Sequence, residues 1–274
     1  ILDASVERHL VSDVPVGAFL SGGIDSSAIT MFAARRLGKQ LRTYSVAFDD
    51  DVGELPGARL VAGLAGSEHH ELRIRGRDIA GTVRALISHH DQPFGDAANI
   101  PLYMLAKHLE GQAKVVLQGD GGDELFAGYR RYNVLAFQQL WRALGRARPL
   151  LAKLPQSQPR DRLARFLAAV SDPDAGRMMA LLLTEEREAP PPTRLLSAAV
   201  RARLVHHPFA RYFELAKRLE RLPPVQKMLH TDCSIILPDI FNEKVDRATM
   251  AHGLEVRLPF LDNELTQYVL GLPW

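Results

Sequence analysis

Ser21-Gly22-Gly23-Ile24-Asp25-Ser26-Ser27 leaves the apolar stretch Val14 to Leu20 and runs straight into a helical pattern. A buried strand that becomes a helix through two glycines belongs to an α/β fold, because the glycines permit a tight turn and bring backbone N–H groups onto an anion. Three hydroxyls add donors, and the following helix points its positive end at the same place. The loop is therefore a pyrophosphate site. The Walker loop, G-x-x-x-x-G-K-[ST], brings a lysine, whereas this loop brings Asp25, which suits holding Mg²⁺ against ATP. The chemistry implied is cleavage of ATP to AMP and pyrophosphate. A plain turn is the bland alternative, and Asp-Ser-Ser with a helix behind it argues against that.

Along the first half, short apolar runs alternate with helical patterns. Val16–Leu20, Thr43–Phe48, His69–Ile74 and Lys114–Leu117 read as buried strands; Ser26–Leu37, Pro56–Ala65, Asp78–His89 and Ile100–Glu110 read as helices. Gly38 and Gly111 are plausible helix stops. This rhythm predicts an α/β fold with a parallel sheet flanked by helices. Ligands in such sheets sit beyond the carboxyl ends of strands, where the strand order switches. The loops at Ser21 and Gly119 both leave strands at those ends and can meet across one crevice.

The composition changes near residue 146. Arg146 to Arg162 is basic and proline-rich, and Ala189-Pro190-Pro191-Pro192-Thr193 marks a second break. Leu163–Val170, Arg177–Leu183, Phe209–Leu222 and Val225–Ile236 look helical, and no strand signal of comparable quality appears. The division expected is residues 1–145 as the nucleotide-binding α/β part and residues 146–274 as a mainly helical lobe. That lobe returns its Lys244–Asp262 segment to the crevice.

Two further segments carry a resemblance. Gln118-Gly119-Asp120-Gly121-Gly122-Asp123-Glu124-Leu125-Phe126-Ala127-Gly128-Tyr129 is one; the other runs from Lys244-Val245-Asp246-Arg247 through Glu255-Val256-Arg257-Leu258-Pro259-Phe260-Leu261-Asp262. With the Ser21 loop they resemble the ATP-pyrophosphatase superfamily and, within it, the synthetase domain of the asparagine synthetase family of the glutamine-hydrolysing type. The resemblance implies an adenine nucleotide alpha-hydrolase-like fold. It implies adenylation of the aspartate side chain by ATP with Mg²⁺, then transfer of ammonia. It also implies a separate amino-terminal glutaminase domain whose cysteine is absent here, since residue 1 is isoleucine. A cytoplasmic enzyme is expected, and a homodimer is open to it.

Carried over residue by residue, the resemblance places the pyrophosphate on Ser21, Gly22, Gly23, Asp25, Ser26 and Ser27. Adenine falls to main-chain groups of Leu20, Val46 and Gly119, with Gln118 beside them, and the metal to Asp25 and Asp123. Asp123 is alternatively a helix cap. Glu124 is open between a supporting group for Asp123 and a carboxylate favoured at a helix start. Lys244 and Arg247, three residues apart on a helix, are candidates to stabilise the charged intermediates. A solvated basic face paired with Asp246 is the alternative. Asp96 and Asn99 belong to a polar cluster with Asp91 and Gln92 at the family's amino-acid pocket, against a loop-and-cap reading. Glu255, Arg257 and Asp262 read as network residues, and Pro259 as a helix end.

The chain departs from better-known synthetases at two positions. Asp120 stands where the catalytic loop often has glutamate, and Arg247 where lysine is frequent, with Lys244 one turn earlier. Two other classes stay open: a ring-closing or other amidotransferase with a different carboxylate, and a non-catalytic nucleotide-binding scaffold. Composition narrows the rest. A net charge of +2 from 34 basic and 32 acidic residues gives no field for nucleic acid or membrane, so Tyr129-Arg130-Arg131-Tyr132 reads as a solvated helix face. No apolar run approaches a membrane span. The single cysteine, Cys233, excludes an internal disulfide and reads as an inert thiol. His69-His70 and His89-His90 are adjacent pairs whose side chains diverge, so neither makes a metal site alone.

Overall fold

The computed structural model describes residues 1–48, 53–74, 79–92, 94–146, 149, 155, 157–183, 196–204 and 206–273. Contacts divide them into two compact units. The first holds Ile1–Phe126 and Ile236–Leu272; the second holds Ala127–Ile235.

The first unit is built on a parallel sheet. Its strands are β1 (Val16–Phe19), β2 (Arg42–Phe48), β3 (Glu68–Ile74), β4 (Val115–Leu117) and β5 (Glu255–Arg257), in the order β3-β2-β1-β4-β5 among the described residues. β1 lies between β2 and β4, with Ala18 facing Thr43 on one side and Leu117 on the other. After β3 the chain crosses over to β4, so the order reverses between β1 and β4. The crevice expected of such a sheet opens there.

Helices cover both faces, as a parallel sheet requires. α1 (Leu2–His9), α2 (Ile24–Leu37), α3 (Leu55–Ala65), α4 (Ile79–His90) and α5 (Asn99–Leu109) alternate with the strands. α5 packs Leu105, Ala106 and Leu109 with Tyr44, Val116 and Leu254, and Val46 lies against this cluster. Leu20 packs instead with Ala58 and Ala62 of α3. The expected strands and helices agree with these elements to within two residues at each end.

β5 is the difference. Its three residues are Glu-Val-Arg, with one apolar side chain, so neither alternation nor an apolar run announces it. It exists because β4 offers an open edge, which it fills with Val256 opposite Val116. Pro259 does not end a helix; it opens a 3₁₀ turn, Pro259–Leu261, after β5.

The second unit is helical. α7 (Arg130–Ala136), α8 (Gln138–Gly145), α9 (Gln158–Val170), α10 (Ala175–Leu183), α11 (Ala198–Ala202), α12 (Ala210–Arg218) and α13 (Pro224–Thr231) follow the short α6 (Gly122–Phe126) of the first unit. Ser157 and Ser197 cap α9 and α11 by accepting the Arg160 and Val200 N–H groups. Buried Asp232 takes both Nε and Nη2 of Arg131 at 3.1 and 2.8 Å, and buried Tyr132 donates its hydroxyl to the same oxygen, so Arg131 and Tyr132 are not part of the solvated face expected of Tyr129–Tyr132. The helix expected to run through Ile236 ends as α-helix at Thr231. It continues as a π-helix, Asp232–Asn242, that holds Pro238. A proline inside a helix removes a backbone donor, and the wider turn accommodates it. The expected break at Ala189–Thr193 lies outside the described residues, as does half of the basic stretch after Arg146.

α14 (Glu243–Met250) and α15 (Asn263–Leu270) complete the first unit. α14 is seated by Ala248, which packs with Leu86 of α4 and Tyr103 of α5. Asp262 caps α15 through the Glu264 and Leu265 N–H groups and pairs with Arg8 at 2.9 Å. Arg257 donates to the carbonyls of His9 and Val11. These contacts fasten α1 and do not reach the loops at the strand ends.

Candidate functional site

The Ser21–Ser27 loop is ordered by its own hydroxyls. Ser26 Oγ lies 3.0 Å from Ser21 Oγ and accepts the Ser21 N–H at 3.3 Å, while Ser21 Oγ accepts the Gly23 N–H at 3.2 Å. Gly22 has φ 84°, and a Cβ there would lie 2.6 Å from the Ala58 nitrogen. Only glycine takes that conformation in that space. The result is a pre-shaped turn at the start of α2, with Asp25 in the helix's first turn.

Across the sheet, the loop after β4 touches it directly. A Cβ on Gly119 would lie 2.9 Å from the Ser26 nitrogen, and one on Gly122 would lie 2.4 Å from Asp25 Cγ. The two loops interlock, and the glycines are what allow it. A Cβ on Gly121 would strike Leu261 Cδ2 at 2.4 Å, so the turn after β5 buttresses the same loop from behind.

Three carboxylates converge at this contact. Burial pushes the Asp25 carboxyl up from the ordinary range, and repulsion from Asp123 and then Asp120 pushes it further. Asp123 is exposed and Glu124 is buried, both in α6. No three of the described His, Cys, Asp and Glu side chains form a metal cage by themselves. Mg²⁺ differs from cage-bound metals, since it takes one or two carboxylates and completes its shell with phosphate oxygens and water. A half-buried carboxylate facing two like charges fits that donor set.

The residues expected on the adenine side lie at the same strand ends. Leu20 donates its N–H to the Tyr44 carbonyl at 2.9 Å and accepts the Ser45 hydroxyl on its own carbonyl. Its main chain thus has one carbonyl lone pair left for a base. Val46 is half-buried in β2. Gln118 gives its N–H to the Arg257 carbonyl at 2.9 Å, and its side-chain Oε1 is buried without a hydrogen bond.

The remaining candidates form a second set, held by its own contacts. Lys244 is 8% exposed; its ammonium lies 3.0 Å from Asp96 Oδ2 and 4.7 Å from the centre of the Phe241 ring. Asp96 uses its other oxygen to accept the Ala98 N–H at 2.9 Å, so it both caps the turn into α5 and holds the lysine. Arg247 is far more exposed and pairs with Glu243 at 3.2 Å, one turn back on α14, rather than with Asp246. Asn99 is buried, with its amide 2.8 Å from His90 Nε2. The expectation of two cations on one helix holds, but their surroundings differ. One is enclosed and the other faces solvent.

Sequence reasoning passed over three members of this set. His90 was visible only as half of an adjacent pair judged unfit for metal, and Glu243 and Phe241 carried no motif. The signal that finds Glu243 is its i,i+4 spacing to Arg247.

A sequence profile of the asparagine synthase family matches residues 1–274. Asparagine synthetase [glutamine-hydrolyzing] 1 of Bacillus subtilis is 31% identical over 98% of this chain, which covers 42% of that protein. A putative glutamine-hydrolyzing asparagine synthetase of Mycobacterium bovis is 32% identical over all of this chain and 41% of its own length. Asparagine synthetase B of Escherichia coli is 34% identical over 47% of the chain and 26% of its own. This chain therefore spans about two-fifths of the first two of these relatives.

Proposed function

Because this chain belongs to the asparagine synthase family, we propose that it is the synthetase portion of an ATP-dependent amide-forming ligase acting on aspartate. The observation that carries this reading is the interlock of Asp25 with Gly119 and Gly122 at the strand-order switch, which gathers three carboxylates at a helix start. Such a place attracts a cation and a polyphosphate together and suits neither alone.

In this reading the N–H and hydroxyl groups of Ser21–Ser27 receive the β- and γ-phosphates, and Gly119 lets the nucleotide approach the β4 end. Asp25 and Asp123 hold Mg²⁺, which when bound neutralises phosphate charge and assists the leaving pyrophosphate. An oxygen of the aspartate side chain attacks the α-phosphorus; the bond to the bridging oxygen breaks and pyrophosphate departs. Ammonia then attacks the acyl carbon, AMP leaves with the bonding electrons, and the amine gives up a proton. Asp120, close enough to perturb Asp25, is the carboxylate assigned to that proton. Arg247, exposed on α14, is assigned to the charge of the intermediates, and Lys244 with Asp96 to the floor of the acceptor site. The names of the relatives suggest glutamine as the source of the ammonia, released outside the residues present here.

The test is exchange of labelled pyrophosphate into ATP. Aspartate-dependent exchange, followed by asparagine formation with ammonium, is the expected result. Exchange that requires a different carboxylate moves the acceptor and keeps the chemistry; no exchange with any carboxylate overturns the assignment.

A further inference from the structure

Three helix ends meet around His90. It is the last residue of α4, Asn99 is the first of α5, and Glu243 is the first of α14. The His90 side chain is fully enclosed and stacks on Phe94, with ring centres 4.5 Å apart and planes 11° from parallel. Its Nε2 lies 2.8 Å from Asn99 Nδ2. With the Asn99 amide in this orientation its nitrogen donates to Nε2, which assigns the ring proton to Nδ1. That Nδ1–H is buried without a hydrogen bond among the described residues and lies 3.8 Å from Glu243 Oε1. The same Oε1 accepts Arg247 Nε at 3.2 Å.

Glu243 thus stands between two donors, bonded to the exposed one and just short of the buried one. The bonded pair is an exposed i,i+4 ion pair, the weakest kind, and a phosphate or carboxylate competes with it readily. The unbonded partner is a desolvated N–H, which gains most from acquiring an acceptor. Loss of Arg247 to an anion leaves Glu243 about 1 Å short of a hydrogen bond to such a donor, since a bond there forms near 2.8 Å.

We propose that His90, fixed by Asn99, is a positioning residue for Arg247: its Nδ1–H takes over Glu243 when Arg247 turns to an anionic ligand. Arg247 leaves its resting partner without stranding that partner's charge, and the carboxylate does not follow it to repel the ligand. The inference rests on the assignment of Arg247 to the charge of the intermediates.

Nitrogen-15 NMR of the full chain reads the device directly. The free protein is expected to show His90 as the Nδ1–H tautomer. Adding α,β-methylene-ATP with Mg²⁺ should move the Nδ1 proton downfield, and that movement should vanish in Glu243→Ala and Arg247→Met. An Nε2–H tautomer, or a movement that persists in Glu243→Ala, overturns the proposal. In pyrophosphate exchange, His90→Gln should lower kcat by roughly ten-fold with KM for ATP unchanged, and add nothing in a Glu243→Ala background. Equal losses in both backgrounds make His90 merely structural and sink the idea. The NMR arms need no folded His90 variant and no turnover. A wild-type protein silent in exchange therefore counts against the aspartate reading while the tautomer and its response to nucleotide still decide this one.

Discussion

The nucleotide loops and the start of α14 handle charge in opposite ways. At Asp25, burial and the like charges of Asp123 and Asp120 all act in one direction, and no basic side chain among the described residues is among the influences on it. At α14 each cation has a carboxylate: Lys244 has Asp96 and Arg247 has Glu243. The first region is out of balance until something positive arrives; the second is neutral at rest and must break a pair to act. A site that binds a metal nucleotide and then manages a transient charge calls for one region of each kind.

Asp25→Asn tests the imbalance most severely. Pyrophosphate exchange should fall by about 10²–10³, yet without nucleotide the variant should melt higher, by roughly 2–4 °C, the shift that ~1 kcal/mol gives a chain of this size. The sign follows from burial and repulsion, which raise the folded-state Asp25 carboxyl above its unfolded value. The stability it contributes is fully present below the ordinary carboxylate range and is lost as pH rises through the raised value. Wild-type melting should therefore decline with pH across that window more than the asparagine variant's does. A lower melting point for Asp25→Asn at neutral pH would show that the aspartate is balanced after all.

Gly122→Ala leaves every charge in place and moves only the geometry. Its new Cβ falls 2.4 Å from Asp25 Cγ, and exchange should drop about 10²-fold. Normal exchange in Gly122→Ala would mean the interlock is slack.

Lys244→Met probes the balanced region. It strands Asp96 in a partly enclosed site, and unfolding free energy in urea should fall by about 2 kcal/mol. Glu243→Gln should do least, within about 0.5 kcal/mol of wild type, because its resting pair is exposed. A loss from Glu243→Gln as large as that from Lys244→Met would erase the distinction between the two cations.

The two regions also differ in how far the sequence reveals them. The loops follow glycine-rich motifs at strand ends, and parallel-sheet topology brings such loops together wherever the strand order reverses, so Asp25, Gly119 and Asp123 were legible. The contacts of Lys244 were not. Asp96 is distant in sequence and looks like a turn residue, which it also is, since one oxygen caps Ala98. His90 gave no hint, because an adjacent histidine pair says nothing about which ring the fold buries. β5 was hidden for a related reason: its pairing is set by the open edge of β4 rather than by its own residues. The π-helix at Asp232–Asn242 was masked by an apolar pattern that α- and π-turns share over a short span.

The buttress of Leu261 against Gly121 bears on the order in which the chain is made. During synthesis β1 to β4 emerge early, and the residues of the phosphate loop are all present. The turn that presses on the Gly119–Gly122 loop, and the strand that closes the β4 edge, emerge only after the helices of the second unit. A nascent chain stopped before Glu255 would carry the Ser21 and Gly119 loops and still expose an unpaired strand edge beside them, the kind of surface that recruits a second unfinished chain. This crevice cannot close before the intervening helical segment, Ala127–Ile235, has been made.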